Sequence, residues 1–340
     1  MTSQPYNIAR LECSTSELLK KHENSIRFSS KNKRYLFDLS MQYARDINAR
    51  IVYSRWRPIE IPADYNPKSS NTEHILKHDV FGYEPSNDCE WYLNFAHTRL
   101  FVAYSGSLFA QDEMQVAENP YLPMLLEEIT LKSQNIIEVT PLTRTTQGPT
   151  PILILNSPRT VSVAVNRNVE EGRPDGLYGN AFGKASLDAI KKATTHLNPP
   201  TMINLIAMEA PPSGYGTYSR EQIVHIFQTA YTGFFAAREE SESGKKCVIH
   251  TGLWGCGAYG GNKILMTILQ ILAARVARID VIIYHIMPHE STQVYYDALK
   301  LLDEDLIPQC SDTSQHGIDL LDMVELIYNY KFKWGESDGN

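Results

Sequence analysis

Two short stretches carry residues whose types and spacing could do chemistry. Gln111-Asp112-Glu113 sets two carboxylates side by side, so that one could hold a proton while its neighbour stays charged. Crowding and partial desolvation raise a carboxyl pKa toward neutrality, where one group can donate a proton and later take one back. The plainer reading of the same residues is an exposed acidic turn of a helix. Further along, "HTGLWGCGAYGGNK" places five glycines between Gly252 and Gly261, after a short apolar run and before a long one. A strand, a glycine-rich turn and a helix N-terminus present unpaired backbone N–H groups at the positive end of a dipole. A phosphate or diphosphate suits that place; a tight turn whose glycines only relieve packing is the alternative. The loop does not fit G-x-x-x-x-G-K-[ST].

These stretches need elements to position them, and the flanking sequence alternates between strand-like and helix-like runs. "WYLNFAH" and "LFVAYS" read as strands, "NPYLPMLLEEITL" as a helix, "PILILN" and "TVSVAVN" as strands, and "GKASLDAIKKATTHL" as a helix. "TMINLIAMEA", "KCVIHTG" and "IDVIIYHI" add strands, with helices from Ser219 and from Asn262 between them. The alternation predicts an α/β layered sheet flanked by helices, with ligands at the carboxyl ends of strands. Residues 14–50 space their apolar positions at three and four, which predicts an N-terminal helical layer. Residues 56–90, rich in Pro, Ser, Asn and Asp, read as an irregular connection. The expected division is therefore a helical extension over 1–87 and the main domain over 88–340.

Composition narrows the function classes. A net charge of −7 and a pI near 5.8 argue against general affinity for nucleic acid, which needs clustered Lys and Arg. No apolar run approaches the roughly 20 residues of a bilayer span, and the N-terminus lacks the pattern of a secretory signal, so no membrane partner is expected. The five cysteines are scattered without a C-x-x-C pair, which points to a reducing compartment, cytoplasm or nucleus. Delivery into a host cell is left open, and a monomer is expected. His285 and His289 stand four apart, but Pro288 interrupts a helix between them, so no metal is expected. Cys256 with His250 or His285 as base would suit a cysteine hydrolase, yet "GCGAYGG" is not a G-x-C-x-G elbow. The loop from Glu170 to Gly183, with Asp175 and Tyr178, is a candidate lid.

The glycine stretch resembles one family closely. Its pattern is similar to the Thr-Gly-Asn-Trp-Gly-Cys-Gly-Ala-Phe-Gly-Gly-Asp loop of poly(ADP-ribose) glycohydrolases, which are macrodomains. Trp254, Gly255, Cys256, Gly257, Ala258, Gly260 and Gly261 match; Tyr259 stands for Phe, while Leu253 and Asn262 stand for Asn and Asp. "QTAYTGFF", Gln228 to Phe235, resembles the family's Ala-Tyr-Cys-Gly-Phe helix. "NFAHTRLFVAYSGSLFAQDEM" is similar to the family's Asp-Phe-Ala-Asn strand, triple glycine and Gln-Glu-Glu.

The resemblance implies a macrodomain-like three-layer fold, ADP-ribose as ligand, no cofactor, and a glycosidic hydrolase acting on an ADP-ribosylated protein. It implies Glu113 as acid/base and Asp112 with Asn94 on the ribose. Gly255, Cys256, Gly257, Ala258 and Gly260 would hold the diphosphate, with Tyr259 and Tyr284 shaping the pocket. Gln111 and His97 take family substrate-binding positions. The departures are Val102-Ala103-Tyr104 in place of the triple glycine, Asn94 for Asp and His97 for Asn. They favour mono-ADP-ribose on protein, with arginine linkage compatible with an acidic site and with effector-type relatives. Chain-trimming of poly(ADP-ribose) and binding without cleavage are the alternatives.

Overall fold

A computed structural model describes residues 6–288, 290–311 and 317–339. Eight strands form one mixed sheet: β1 (Asn7–Ser14), β2 (Arg50–Trp56), β3 (Glu73–Lys77), β4 (Cys89–Ala96), β5 (Ile152–Val163), β6 (Thr194–Glu209), β7 (Cys247–Gly252) and β8 (Val281–His285). Their spatial order is β1-β2-β5-β6-β4-β7-β8-β3. The pairs β6/β4, β4/β7, β7/β8 and β8/β3 are parallel; β1, β2 and β5 extend the sheet antiparallel. Parallel strands covered on both faces read as near-continuous apolar runs, as "CVIHTG" and "VIIYH" do, with every residue of both buried.

Helices cover both faces. On one side lie α5 (Arg220–Glu240), α6 (Lys263–Val276) and α7 (Leu320–Asn329), which share one core with the sheet through Phe227, Phe234, Leu265, Ile268 and Met323, α7 packing on α5. On the other, α1 (Thr15–His22), α2 (Lys31–Gln42), α3 (Gln111–Glu118) and α4 (Tyr121–Lys132) contribute Leu18, Phe37, Val116 and Leu125 to a second core. The helix α6 is apolar almost all round because it is wedged between sheet and α5. Among the described residues no helix is long and apolar enough to cross a membrane.

Three expectations are corrected. The N-terminal 87 residues are not only a helical extension: β1 and β2 lie at one edge of the sheet and β3 at the other, so the sheet runs through the expected boundary at residue 88. "RIVYSRW" is buried on both faces, so its run of apolar residues shows no strand alternation to read. "LFVAYS" is a chain of turns, with Val102, Tyr104 and Gly106 N–H groups donating to Arg99, Phe101 and Ala103 carbonyls. "PILILN" and "TVSVAVN" belong largely to one strand, β5, whose register on β6 shifts near Asn156, a residue with φ of 58°.

Candidate active site

The site is built at the carboxyl ends of β4, β6 and β7. Helix α3 starts just beyond β4, and Gln111 staples the two together: its Oε1 accepts from Phe95 N–H at 2.8 Å and its Nε2 donates to the Leu93 carbonyl at 2.8 Å. With both ends bonded to backbone, Gln111 positions the helix. Asn94 Nδ2 donates to Asp112 Oδ1 and to Gln115 Oε1, both at 2.9 Å, and Asn94 is fully buried behind Asp112. Glu113 Oε2 accepts from Ala110 N–H at 2.9 Å, one half of a capping box whose other half Ala110, with no side-chain acceptor, cannot make. Asp112 and Glu113 are thus buried neighbours, not an exposed acidic turn.

Burial, and next the charge of Glu113, push the Asp112 carboxyl up to about 7; the Asn94 hydrogen bond and Lys33 oppose them. Burial also raises Glu113, against the charge of Lys33 and the donating backbone N–H groups. The pair therefore retains a proton near neutral pH, the state a general acid needs. A carboxyl raised in the folded state contributes its full stability below its ordinary value of 3.8 and loses it as pH rises through about 7. Asp112→Asn, which keeps an acceptor for Asn94, is expected to raise the melting temperature at about pH 8 and leave it unchanged at about pH 4. Equal shifts at both pH values would contradict a buried, proton-holding carboxyl.

Facing the pair is a residue that the sequence did not single out. Lys33, from α2, is 2% exposed; its Nζ donates to the Tyr104 carbonyl at 3.3 Å and lies 5.5 Å from the Phe109 ring centre. Burial lowers its ammonium to about 8, opposed by Glu113 and Asp112. Nothing local marks it, because its partners lie 71 to 80 positions away.

The glycine loop leaves β7 and enters α6, whose N-cap Asn262 accepts from Leu265 N–H at 3.1 Å. Trp254 is buried and donates from Nε1 to the Met208 carbonyl at 3.1 Å, tying the loop to β6. Gly255 has φ of 73°, and a Cβ there would stand 2.5 Å from the Ala210 Cβ, so only glycine fits. Gly261 N–H donates to the Gly255 carbonyl at 2.8 Å, closing the loop. Gly257 and Tyr259 are half-buried and Ala258 is exposed, on the open side of this turn. Burial and then the Glu209 carboxylate raise the Tyr259 phenol to about 12, with Arg144 opposing and Asp112 adding. Tyr259 thereby joins the loop to the carboxylate side.

Other expected site residues fall elsewhere. Tyr284 is fully buried in the core, its hydroxyl 2.7 Å from that of Thr267 on α6, so it cannot shape a pocket. The Cys256 thiol is buried, donates to the Trp254 carbonyl at 3.5 Å and is pushed up to about 12 by burial, so it is a packed residue and no thiolate nucleophile. His97 is exposed and accepts from Arg99 N–H at 3.1 Å, capping a turn. His285 bonds His250 at 2.9 Å and Asp79 at 2.8 Å, while His289 lies outside the described residues. Among the described residues no His, Cys, Asp and Glu group could hold a metal.

In the candidate lid, Phe109 and Gly179 exchange backbone hydrogen bonds at 3.1 and 2.9 Å, which pins residues 177–180 beside α3. Burial, followed by the charges of Asp338 and Glu113, pushes the Tyr178 phenol up to about 12; Asp175 is exposed. At the end of β6, Arg144 Nε pairs with Glu209 Oε2 at 3.0 Å, and Thr98 donates to the other oxygen. Neither had a sequence signal beyond its residue type.

Residues 177–293 match the family model described as poly(ADP-ribose) glycohydrolase (PARG), Macro domain fold. The match contains Tyr178 and the whole glycine loop and starts after Glu113. Similar solved structures include the poly(ADP-ribose) glycohydrolase of Thermomonospora curvata, 13% identical over 84% of this chain and 96% of that one, with a TM-score of 0.47. The same protein bound to the inhibitor ADP-HPD gives 13%, 84%, 96% and 0.45. The poly(ADP-ribose) glycohydrolase of Deinococcus radiodurans in complex with ADP-ribose gives 13%, 84%, 98% and 0.42.

Proposed function

We propose, from the match of residues 177–293 to the poly(ADP-ribose) glycohydrolase macrodomain model, that the protein hydrolyses the glycosidic bond between ADP-ribose and a protein acceptor. The observation that carries the proposal is the buried Asp112–Glu113 pair, which holds a proton and lies within electrostatic reach of Tyr259 on the glycine loop. In this reading the diphosphate rests on the N–H groups of Gly257, Ala258 and Tyr259, on the open side of the glycine loop before α6. The ribose then lies over Asp112. The bond breaks through an oxocarbenium-like state, so the leaving group takes a proton from Glu113 and the remaining negative charge stabilises the sugar. Water then attacks and returns its proton to the same carboxylate.

The preferred substrate is protein-linked mono-ADP-ribose. Support comes from residues 99–106, where turns bearing Val102, Ala103 and Tyr104 stand in place of the three glycines of the family that the sequence resembles. An arginine acceptor suits the acidic surroundings, since a guanidinium leaving group keeps its charge beside a carboxylate.

Lys33 sets the working pH of the pair. Its ammonium favours ionised carboxyls, so Lys33→Met is expected to move the pH–rate profile for ADP-ribose release upward by about half to one unit. Lys33→Arg should leave the profile near that of the wild type. A Lys33→Met profile that falls in height without moving along the pH axis would show a purely structural role.

A further inference from the structure

The glycine loop assigned to ADP-ribose is crossed by the chain itself. Beyond α7, Trp334 stacks on Tyr218 with ring centres 4.1 Å apart and planes at 14°, and its backbone N–H donates to the Gly216 carbonyl at 2.9 Å. This anchors the near end of the segment. From there Asn262 Nδ2 donates to the Lys333 carbonyl at 2.9 Å, and Gly335 N–H to the Gly260 carbonyl at 2.8 Å. Asp338 N–H donates to the Gly257 carbonyl at 3.4 Å. Asn180 Nδ2, on the wall next to Tyr178, donates to the Gly339 carbonyl at 3.3 Å. The segment thus runs from the glycine loop to the wall beside Glu113.

Its chemistry matches the place it takes. Asp338 Oδ2 lies 3.1 Å from the point where a Cβ on Gly257 would stand, so the carboxylate covers the open face of the loop. A Cβ on Gly260 would meet the backbone of Gly335, Glu336 and Ser337 at 3.1 to 3.2 Å. An acidic side chain thus rests against the loop that the proposed function gives to an anionic diphosphate. Residues 335–339 are exposed along their length, and backbone hydrogen bonds from Gly335 and Asp338 fasten them to the loop.

We propose that residues 335–339 are an autoinhibitory strap, with Asp338 competing for the diphosphate position, and that the strap must swing out about Trp334 before ADP-ribose binds. The proposal rests on the functional reading of the glycine loop given above. A competitor in the site lowers apparent affinity by the fraction of molecules in which it is open.

The test compares the full chain, a chain ending at Trp334, and Asp338→Asn, each titrated with ADP-ribose by calorimetry. Hydrogen exchange of the full chain is followed with and without the ligand. The shortened chain is expected to bind about tenfold more tightly and Asp338→Asn by an intermediate factor, with ADP-ribose exposing the Gly335 amide to exchange. Equal or weaker binding by both variants overturns the strap while leaving the functional reading intact. Absence of ADP-ribose binding by all three forms overturns the functional reading, and the strap with it.

Discussion

Glu113→Gln is expected to cut release of ADP-ribose by about a thousandfold while leaving the Kd for ADP-ribose within about threefold. Proton transfer by a positioned side chain contributes about 10² to 10⁴ in rate, and here one carboxyl group acts in both halves of the reaction. Glutamine is the informative replacement because it keeps the acceptor that caps Ala110 N–H, so α3 should start where it does now. Single-turnover release from an ADP-ribosylated protein, measured beside equilibrium binding, separates the two effects. A variant retaining a tenth or more of the wild-type rate would remove Glu113 from the proton-transfer role.

Glu118→Ala is expected to cost about 3–5 kcal/mol of stability, the range for breaking a buried ion pair from one side. Glu118 and Arg159 are 3% and 5% exposed, with Oε2 accepting from Arg159 Nε at 2.7 Å. Glu118 Oε1 also accepts from Val163 N–H at 2.7 Å, so the carboxylate fastens the end of α3 to β5. Removing it strands a guanidinium that lies 4.3 Å from the Tyr83 ring centre, and leaves a backbone donor unpaired. Urea unfolding measures the loss, and Glu118→Gln should lose less because it still accepts from Val163. A loss below about 1 kcal/mol for Glu118→Ala would mean that the pair is solvated. The consequence extends to the site, since α3 carries Asp112 and Glu113 at its other end.

What could be read from the sequence, and what could not, follows from how local each signal is. The glycine loop, β7 and α6 are contiguous, so a short apolar run, five glycines and a long apolar run revealed them together. Asn94 and Gln111 were recognised as site residues, but their work is internal: both spend their amides on holding β4 and α3 in place. Tyr284 was misplaced because strand residues alternate between faces, and its side chain goes to the α6 face. The strand β2 escaped notice because it is buried on both faces and shows no alternation. Lys33 and the 335–339 strap were invisible because each is defined by what folding brings beside it.

The most direct test of the central claim is ADP-ribose release from arginine-, serine- and glutamate-linked mono-ADP-ribosylated proteins and from poly(ADP-ribose), with Glu113→Gln as control. Release from a protein-linked mono-ADP-ribose, greatest for the arginine linkage, with little from the polymer and none from the variant, is the predicted result. Tight binding of ADP-ribose with no release from any of the four substrates would contradict it and leave a protein that binds ADP-ribose without cleaving it.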